Sequence, residues 1–456
     1  MRSYSLKFWI IFWTSSAVFL TGWFWYWEIY NRGITAVNPA LDYLPMERTQ
    51  KENYKAATEL AQYFLKEDEK ERNFLVLFQN DMELRPGGGF IGAFGIVKIK
   101  NGKIISIKTE DLSNFDTKIS ANVKPPYPIG EIMQVDSWKF RDSNWSPDFA
   151  VNAQKAEEFY KLGQGQENLD GVVGITSKVL ASLLRVTGPV QLEDYPGTYD
   201  SENGILMLEY QVEKAFDEQG IERGERKSVM GDLARVIATK IQELGVSKKV
   251  ELANIIFEDL KNKDIQLFFF DENLQKSVEA GGWSGRVDNG WKKDYLMIVD
   301  ANLGAYKSDY YVKRSFDYTI DLSKEMPVAN LKITYKHTAR QRDWMTKDYL
   351  TYLRVYVPEG SWLTGSKNFD GANFANELGK KYFGAIIKVP IDSTKTVELN
   401  YTLPKEIIPE YDLLIQKQAG LSDIPVAVHV IYPDGTKNGF SKNMDSDLKY
   451  SEAISK

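Results

Sequence analysis

From Tyr310 onward the chain commits itself to β-structure. Seven runs follow one another: YYVKRSFDYTIDL, VANLKITYKHTA, YLTYLRVYVP, YFGAIIKVP, KTVELNYTLP, YDLLIQKQ and PVAVHVIYP. Successive side chains of a strand point to opposite faces, so this period-two alternation fits strands with one buried and one wet face. Turn signals such as PEG and PDG separate several of the runs. The pattern predicts an all-β, antiparallel sandwich of immunoglobulin-like type over residues 310–456.

Upstream the pattern changes. Glu52 to Lys70 has helical apolar spacing, and FLVLF at 74–78 is apolar throughout, as a strand covered on both faces would be. Phe90 to Lys100 and Ile104 to Lys108 flank an Asn-Gly pair, a strong hairpin signal. A proline-containing loop leads to SPDF, where Ser146 suits an N-cap, Pro147 the first helical turn and Asp148 the positive end of the dipole. LDGVVGI, IQLFFF and YLMIVDANLG read as further strands between helices near 176–187, 201–218, 224–243 and 248–262. Strands alternating with helices predict an α/β unit, a mixed sheet with flanking helices, over residues 51–305.

Phe8 to Trp27, FWIIFWTSSAVFLTGWFWYW, carries no charge. Twenty helical residues span roughly 30 Å, the thickness of a bilayer core. Arg2 and Lys7 precede the run, and Trp23, Trp25, Tyr26 and Trp27 crowd its end. These features predict a single N-terminal transmembrane helix within residues 1–27, with a short cytoplasmic N-terminus. The run is long for a signal peptide and lacks a small-residue cleavage site, which favours an uncleaved anchor. Residues 28–50 then form a connector. The expected localisation is the cell membrane, single-pass, with the bulk of the chain extracytoplasmic and the lipid bilayer as a partner.

Composition narrows the chemistry. There are no cysteines and only two histidines, His337 and His429, which excludes disulfides and thiol nucleophiles and nearly excludes a histidine-rich zinc site. A net charge of −6 gives no general basic field for nucleic acid. Carboxylates, arginines, lysines, hydroxyls and a hard metal such as magnesium remain.

Three stretches carry candidate chemistry. In ELRPGGGFIGAFG, Gly87, Gly88 and Gly89 could present backbone N–H groups to an anion while Arg85 clamps a phosphate. The glycines could equally serve close backbone approach or a bulge, since the run leads into a strand and lacks the P-loop and dinucleotide signatures. In FRDSNWSPDF, Arg141, Asp142, Asn144 and Asp148 precede a helix N-terminus. They suit an anion and a magnesium ion, or else a helix cap beside a surface ion pair. In ERGERKSVMGDLARVI, Arg223, Arg226, Lys227 and Arg235 offer a phosphate-binding face or a solvated one interleaved with acids.

Taken in order, LFQNDMELRPGGGFIGAFG, RDSNWSPDF, LDGVVGITSKVLASLLRVTGPV, DYLMIVDANLGAYKSDYYVKR and YLTYLRVYVPEGS resemble the bacterial domain-of-unknown-function family 4012, common in envelope proteins, over about residues 70–360. More distantly, DGVVGITSKVLASLLRVTGPVQL followed by ERKSVMGDLARVIATKI is similar in layout to the LytR–CpsA–Psr phosphotransferases. That likeness implies an enzyme that moves a glycopolymer from a polyprenyl diphosphate carrier to the cell wall or surface. Arg85, Arg141, Arg223 and Arg226 would grip the diphosphate, Asp142 and Asp148 would hold Mg2+, and Arg85, Arg141 and Asp142 would form the catalytic core. The chain departs from that family: FRDSN stands only loosely for its Pro-Arg-Asp segment, and Lys-Ser stands where Arg-Gln is expected. The alternative is a non-catalytic envelope interaction or adhesion protein that displays a β-sandwich surface. Transfer requires Arg85, Arg141 and Asp142 to converge in one cleft. The interaction reading has them scattered or paired within the chain.

Overall fold

The computed structural model describes residues 6–407 and 411–451, apart from the side chains of 6–13, 17, 18, 25 and 32. Arg2, like residues 452–456 of the expected sandwich, lies outside the described residues.

The α/β unit is built on a five-stranded sheet of order β3-β2-β1-β4-β7. Its strands are β1 (Arg72–Asn80), β2 (Phe90–Lys100), β3 (Lys103–Asp111), β4 (Gly171–Thr176) and β7 (Ile265–Phe269), while β5 (Val190–Leu192) and β6 (Tyr195–Tyr199) pair separately. β1 and β4 are parallel and the other neighbours antiparallel. Asn101 and Gly102 both have positive φ, 51° and 70°, as the tight turn between β2 and β3 requires. Both faces of the sheet are covered. Leu75 and Leu77 meet Phe149, Ala153 and Phe159 of the helix Phe149–Leu162. Phe74, on the other face, packs with Val278, Leu260 and Phe64 from the helices Glu272–Ala280, Val246–Lys261 and Arg48–Leu65. This explains why β1 has no polar alternation in its middle.

The C-terminal part is a pair of six-stranded sheets. One runs β12-β15-β10-β9-β17-β18 and the other β13-β14-β11-β8-β16-β19. The strands are β8 (Asp294–Asn302), β9 (Val312–Asp321), β10 (Val328–His337), β11 (Tyr349–Val357), β12 (Trp362–Lys367), β13 (Asn373–Glu377), β14 (Lys380–Val389), β15 (Thr394–Thr402), β16 (Asp412–Ile415), β17 (Ile424–Ile431), β18 (Lys437–Met444) and β19 (Leu448–Ser451). Ile298, Phe316, Leu331, Leu353, Phe383, Leu399 and Val428 belong to one core shared by the two sheets.

Three expectations need correction. The antiparallel immunoglobulin-like arrangement does not describe the sandwich: β16 runs parallel to β8 and β17 parallel to β9. The strand of YLMIVDANLG, assigned above to the α/β unit, is β8, which pairs with β11 and β16 in the sandwich. Uninterrupted apolar character marks a strand covered on both faces but does not say which sheet covers it.

The third correction concerns the N-terminus. Leu6–Arg32 is a 27-residue helix, yet among the described residues no helix is long and apolar enough to cross a membrane. That finding overturns the single transmembrane helix and the single-pass cell-membrane localisation. The physical reason lies in composition. Half of the run is aromatic, and Trp and Tyr are amphipathic, while Thr14, Ser15, Ser16, Thr21 and Gly22 interrupt its aliphatic residues.

Candidate functional site

The glycine run and FRDSN meet where the α/β unit joins the sandwich. Arg85 follows β1 and is fully enclosed. Its Nε donates to Asp142 Oδ1 at 3.1 Å and one terminal nitrogen to Glu83 Oε1 at 3.1 Å. The other terminal nitrogen donates to the carbonyls of Asn302, at 2.6 Å, and Leu84, at 3.4 Å. Burial opposes the guanidinium charge, but Asp142 and Glu83 outweigh it and raise the Arg85 pKa above its ordinary value. Every face of the guanidinium is thus taken by the chain itself.

The glycines serve close approach. A Cβ on Gly87 would lie 2.4 Å from Asn152 Nδ2, and one on Gly89 2.4 Å from the Asn80 carbonyl. Gly88 has φ +133°. Its carbonyl packs so tightly against the sandwich that a Cβ on Gly420 would fall 2.0 Å from it. Two of the three N–H groups that would cradle an anion are already bound: Gly87 donates to Asn144 O at 3.1 Å and Gly88 to Arg85 O at 2.9 Å. Asn144 is buried and donates to Gln79 Oε1 and to Gly89 O.

Asp148, not Ser146, caps the helix Phe149–Leu162. One carboxylate oxygen accepts from Val151 N at 3.2 Å and the other from Val287 N at 3.1 Å. Burial raises its pKa against these two bonds. Asp142 accepts from Arg85. These carboxylate oxygens hold N–H donors where a Mg2+ ion needs free lone pairs, so the pair does not fit that metal. Among the described residues no group of three or more His, Asp or Glu could hold a metal ion.

The remaining arginines are paired with other carboxylates or exposed. Arg141 pairs with Asp116 at 2.6 Å. Arg226 donates to Glu213 Oε2 at 3.1 Å. Arg223 is exposed in the turn before the helix Ser228–Glu243. A cleft of about 350 Å3 opens beside this helix, lined in part by Glu110, Asp111, Glu225, Lys227 and Arg235. Carboxylates there outnumber cations, and Lys227 Nζ donates to Gly92 O at 2.6 Å and Asp111 Oδ1 at 2.8 Å. Burial lowers the Lys227 pKa, with Asp111 opposing. This arrangement does not favour a diphosphate.

The structure therefore brings Arg85, Asp142, Asn144 and the glycines together, and leaves Arg141 and Arg223 apart from them. Sequence reasoning missed Glu83, Glu209, Lys307, Asn302, Asp309 and Gln418. Lys307 bridges Glu209 at 3.3 Å and Glu213 at 3.2 Å. Asp309 accepts from Leu84 N at 2.9 Å, and Gln418 donates to the carbonyls of Arg85 and Asp300. For Asn302, Lys307 and Asp309 the signal available was the polar residues inside VDANLGAYKSDY, next to strand-like sequence.

Fold and site together define an α/β unit fastened to a β-sandwich through a buried, hydrogen-bonded joint. Residues 69–212 match the model of the family described as protein of unknown function (DUF4012). No curated protein matches the chain. Among solved structures, a Streptococcus agalactiae protein is similar at 13% identity and a TM-score of 0.31, over 47% of this chain and 74% of its own. A Listeria innocua protein is similar at 12% identity and a TM-score of 0.27, over 48% and 79%.

Proposed function

We propose that the protein is a non-catalytic interaction protein in which the α/β unit is a rigid base for the sandwich. The observation that carries this reading is the enclosure of Arg85. The residue best suited to grip a diphosphate is sealed in the joint, bonded to two carboxylates and two carbonyls of its own chain. Arg141 and Arg226 are paired with Asp116 and Glu213. Transition-state stabilisation needs donors aimed at a reacting group, and these donors are aimed inward.

The sandwich supplies the accessible surface. The sheet containing β9, β10, β17 and β18 has an open hollow of about 440 Å3, with Ser315, Thr334 and Ala427 among its lining residues. Small side chains there leave room for a partner.

The test is binding of farnesyl diphosphate to the full chain, with and without Mg2+, comparing wild type with Arg141→Ala. The expected result is no magnesium-dependent binding by either protein. Magnesium-dependent binding by wild type that Arg141→Ala loses would overturn the reading in favour of transfer chemistry.

A further inference from the structure

The joint holds more buried acid than base. Glu83 and Asp142 face Arg85. Glu209 and Glu213 face Lys307, and Glu213 also faces Arg226. Asn80 Nδ2 donates to Glu209 Oε1 at 2.9 Å. Four carboxylates thus meet three cations. Nearby pairs do not correct the balance. Lys227 and Asp111 neutralise each other. Arg314 faces Asp300 and Asp309, one cation between two acids; Asp300 also accepts from Tyr335 and Thr351 inside the sandwich, and Asp309 from Leu84 N across the joint.

The cluster spans the two units. Glu83 and Asp142 belong to loops of the α/β unit, and Glu209 and Glu213 to the helical segment beginning at Gly204. Lys307 lies between β8 and β9. Glu213 sits in a π-helical turn, Gln211–Ala215, a departure from α-helix that recurs at functional positions. An uncompensated charge taken out of water carries a large desolvation penalty, and a carboxylate avoids it by keeping its proton.

We propose that this joint is a proton-controlled latch: closing it binds a proton on the Glu83–Glu209 side of the cluster, and opening releases that proton to water. Burial raises the pKa of both Glu83 and Glu209, against the pull of Arg85 and Lys307 respectively. The sign follows from linkage. A closed state that holds one more proton than the open state is favoured as pH falls, and its opening constant rises about tenfold per pH unit while the proton is held. Lys417 Nζ, donating across the joint to Asn262 O at 2.7 Å, acts in the opposite sense. Burial pushes its pKa down to about 7, so its influence is confined to higher pH and leaves the acidic window to the carboxylates.

Amide hydrogen exchange reads the latch directly. Asn302 N donates to Leu84 O at 2.9 Å and Asp309 N to Met82 O at 3.1 Å, both across the joint. After correction for intrinsic exchange, their opening constants should fall up to tenfold per unit as pH drops from 7 to 5. Amides inside β1 and β10 should not share that slope. Glu209→Gln leaves three acids against three cations and should flatten it, and Glu83→Gln tested separately should do the same. A flat wild-type profile, or a slope that survives in a folded Glu209→Gln or Glu83→Gln protein, would overturn the latch.

Discussion

Replacing Arg85 by methionine distinguishes a structural arginine from a ligand-gripping one. The side chain is fully buried, and Glu83 and Asp142, each with only 11% of its side chain exposed, lie against it. Removing the guanidinium leaves two facing carboxylates in a low-dielectric site and the Asn302 carbonyl without its 2.6 Å donor. Breaking one side of a buried ion pair costs about 3–5 kcal/mol. At about 2–4 °C per kcal/mol for domains of a few hundred residues, the expected fall in Tm is about 10 °C. Thermal unfolding followed by tryptophan fluorescence measures the shift, and Arg85→Met/Glu83→Gln should recover part of it by removing one stranded carboxylate. A folded Arg85→Met protein within about 1 kcal/mol of wild type would refute the structural role and reopen the phosphate-binding one.

Two further perturbations address the joint and the sandwich core. Gly420→Ala places a Cβ 2.0 Å from the Gly88 carbonyl at a backbone φ of +83°, so calorimetry should show loss of at least about 2 kcal/mol; an unchanged Tm would mean the two loops do not press together. Asp294, fully buried between Tyr318 and Tyr411, is pushed up to about 7 by burial. The folded state then holds a proton that the unfolded state has lost between about pH 4 and 7, so this group makes stability fall with rising pH by up to about 1.4 kcal/mol per unit. Asp294→Asn should remove that component, which urea titrations at pH 5 and pH 7 would detect.

Much of the fold was legible because it rests on local periodicity. The Asn101-Gly102 turn needed two residues tolerant of positive φ, and the sequence supplies them in order. β1 was readable from FLVLF because both its faces are covered. β8 was equally readable as a strand but not as a sandwich strand, since its pairing with Leu413–Ile415 spans more than a hundred residues. The N-terminal helix shows how an aromatic run can match the length of a membrane span without matching its aliphatic character.

The candidate site was less legible. Arg85, Asp142, Asn144 and the three glycines were singled out, and they do converge. Their partners decided what they do, and those partners are remote: Asn302 lies 217 positions from Arg85 and Gln418 lies 333. The pattern of apolar residues determined by itself that this chain would alternate helix and strand and then close with sheets, because burial of a face is a local property of each element. Tertiary structure alone decided that an arginine beside three glycines would serve as an internal rivet, because the field at a buried charge is set by whatever the fold packs around it.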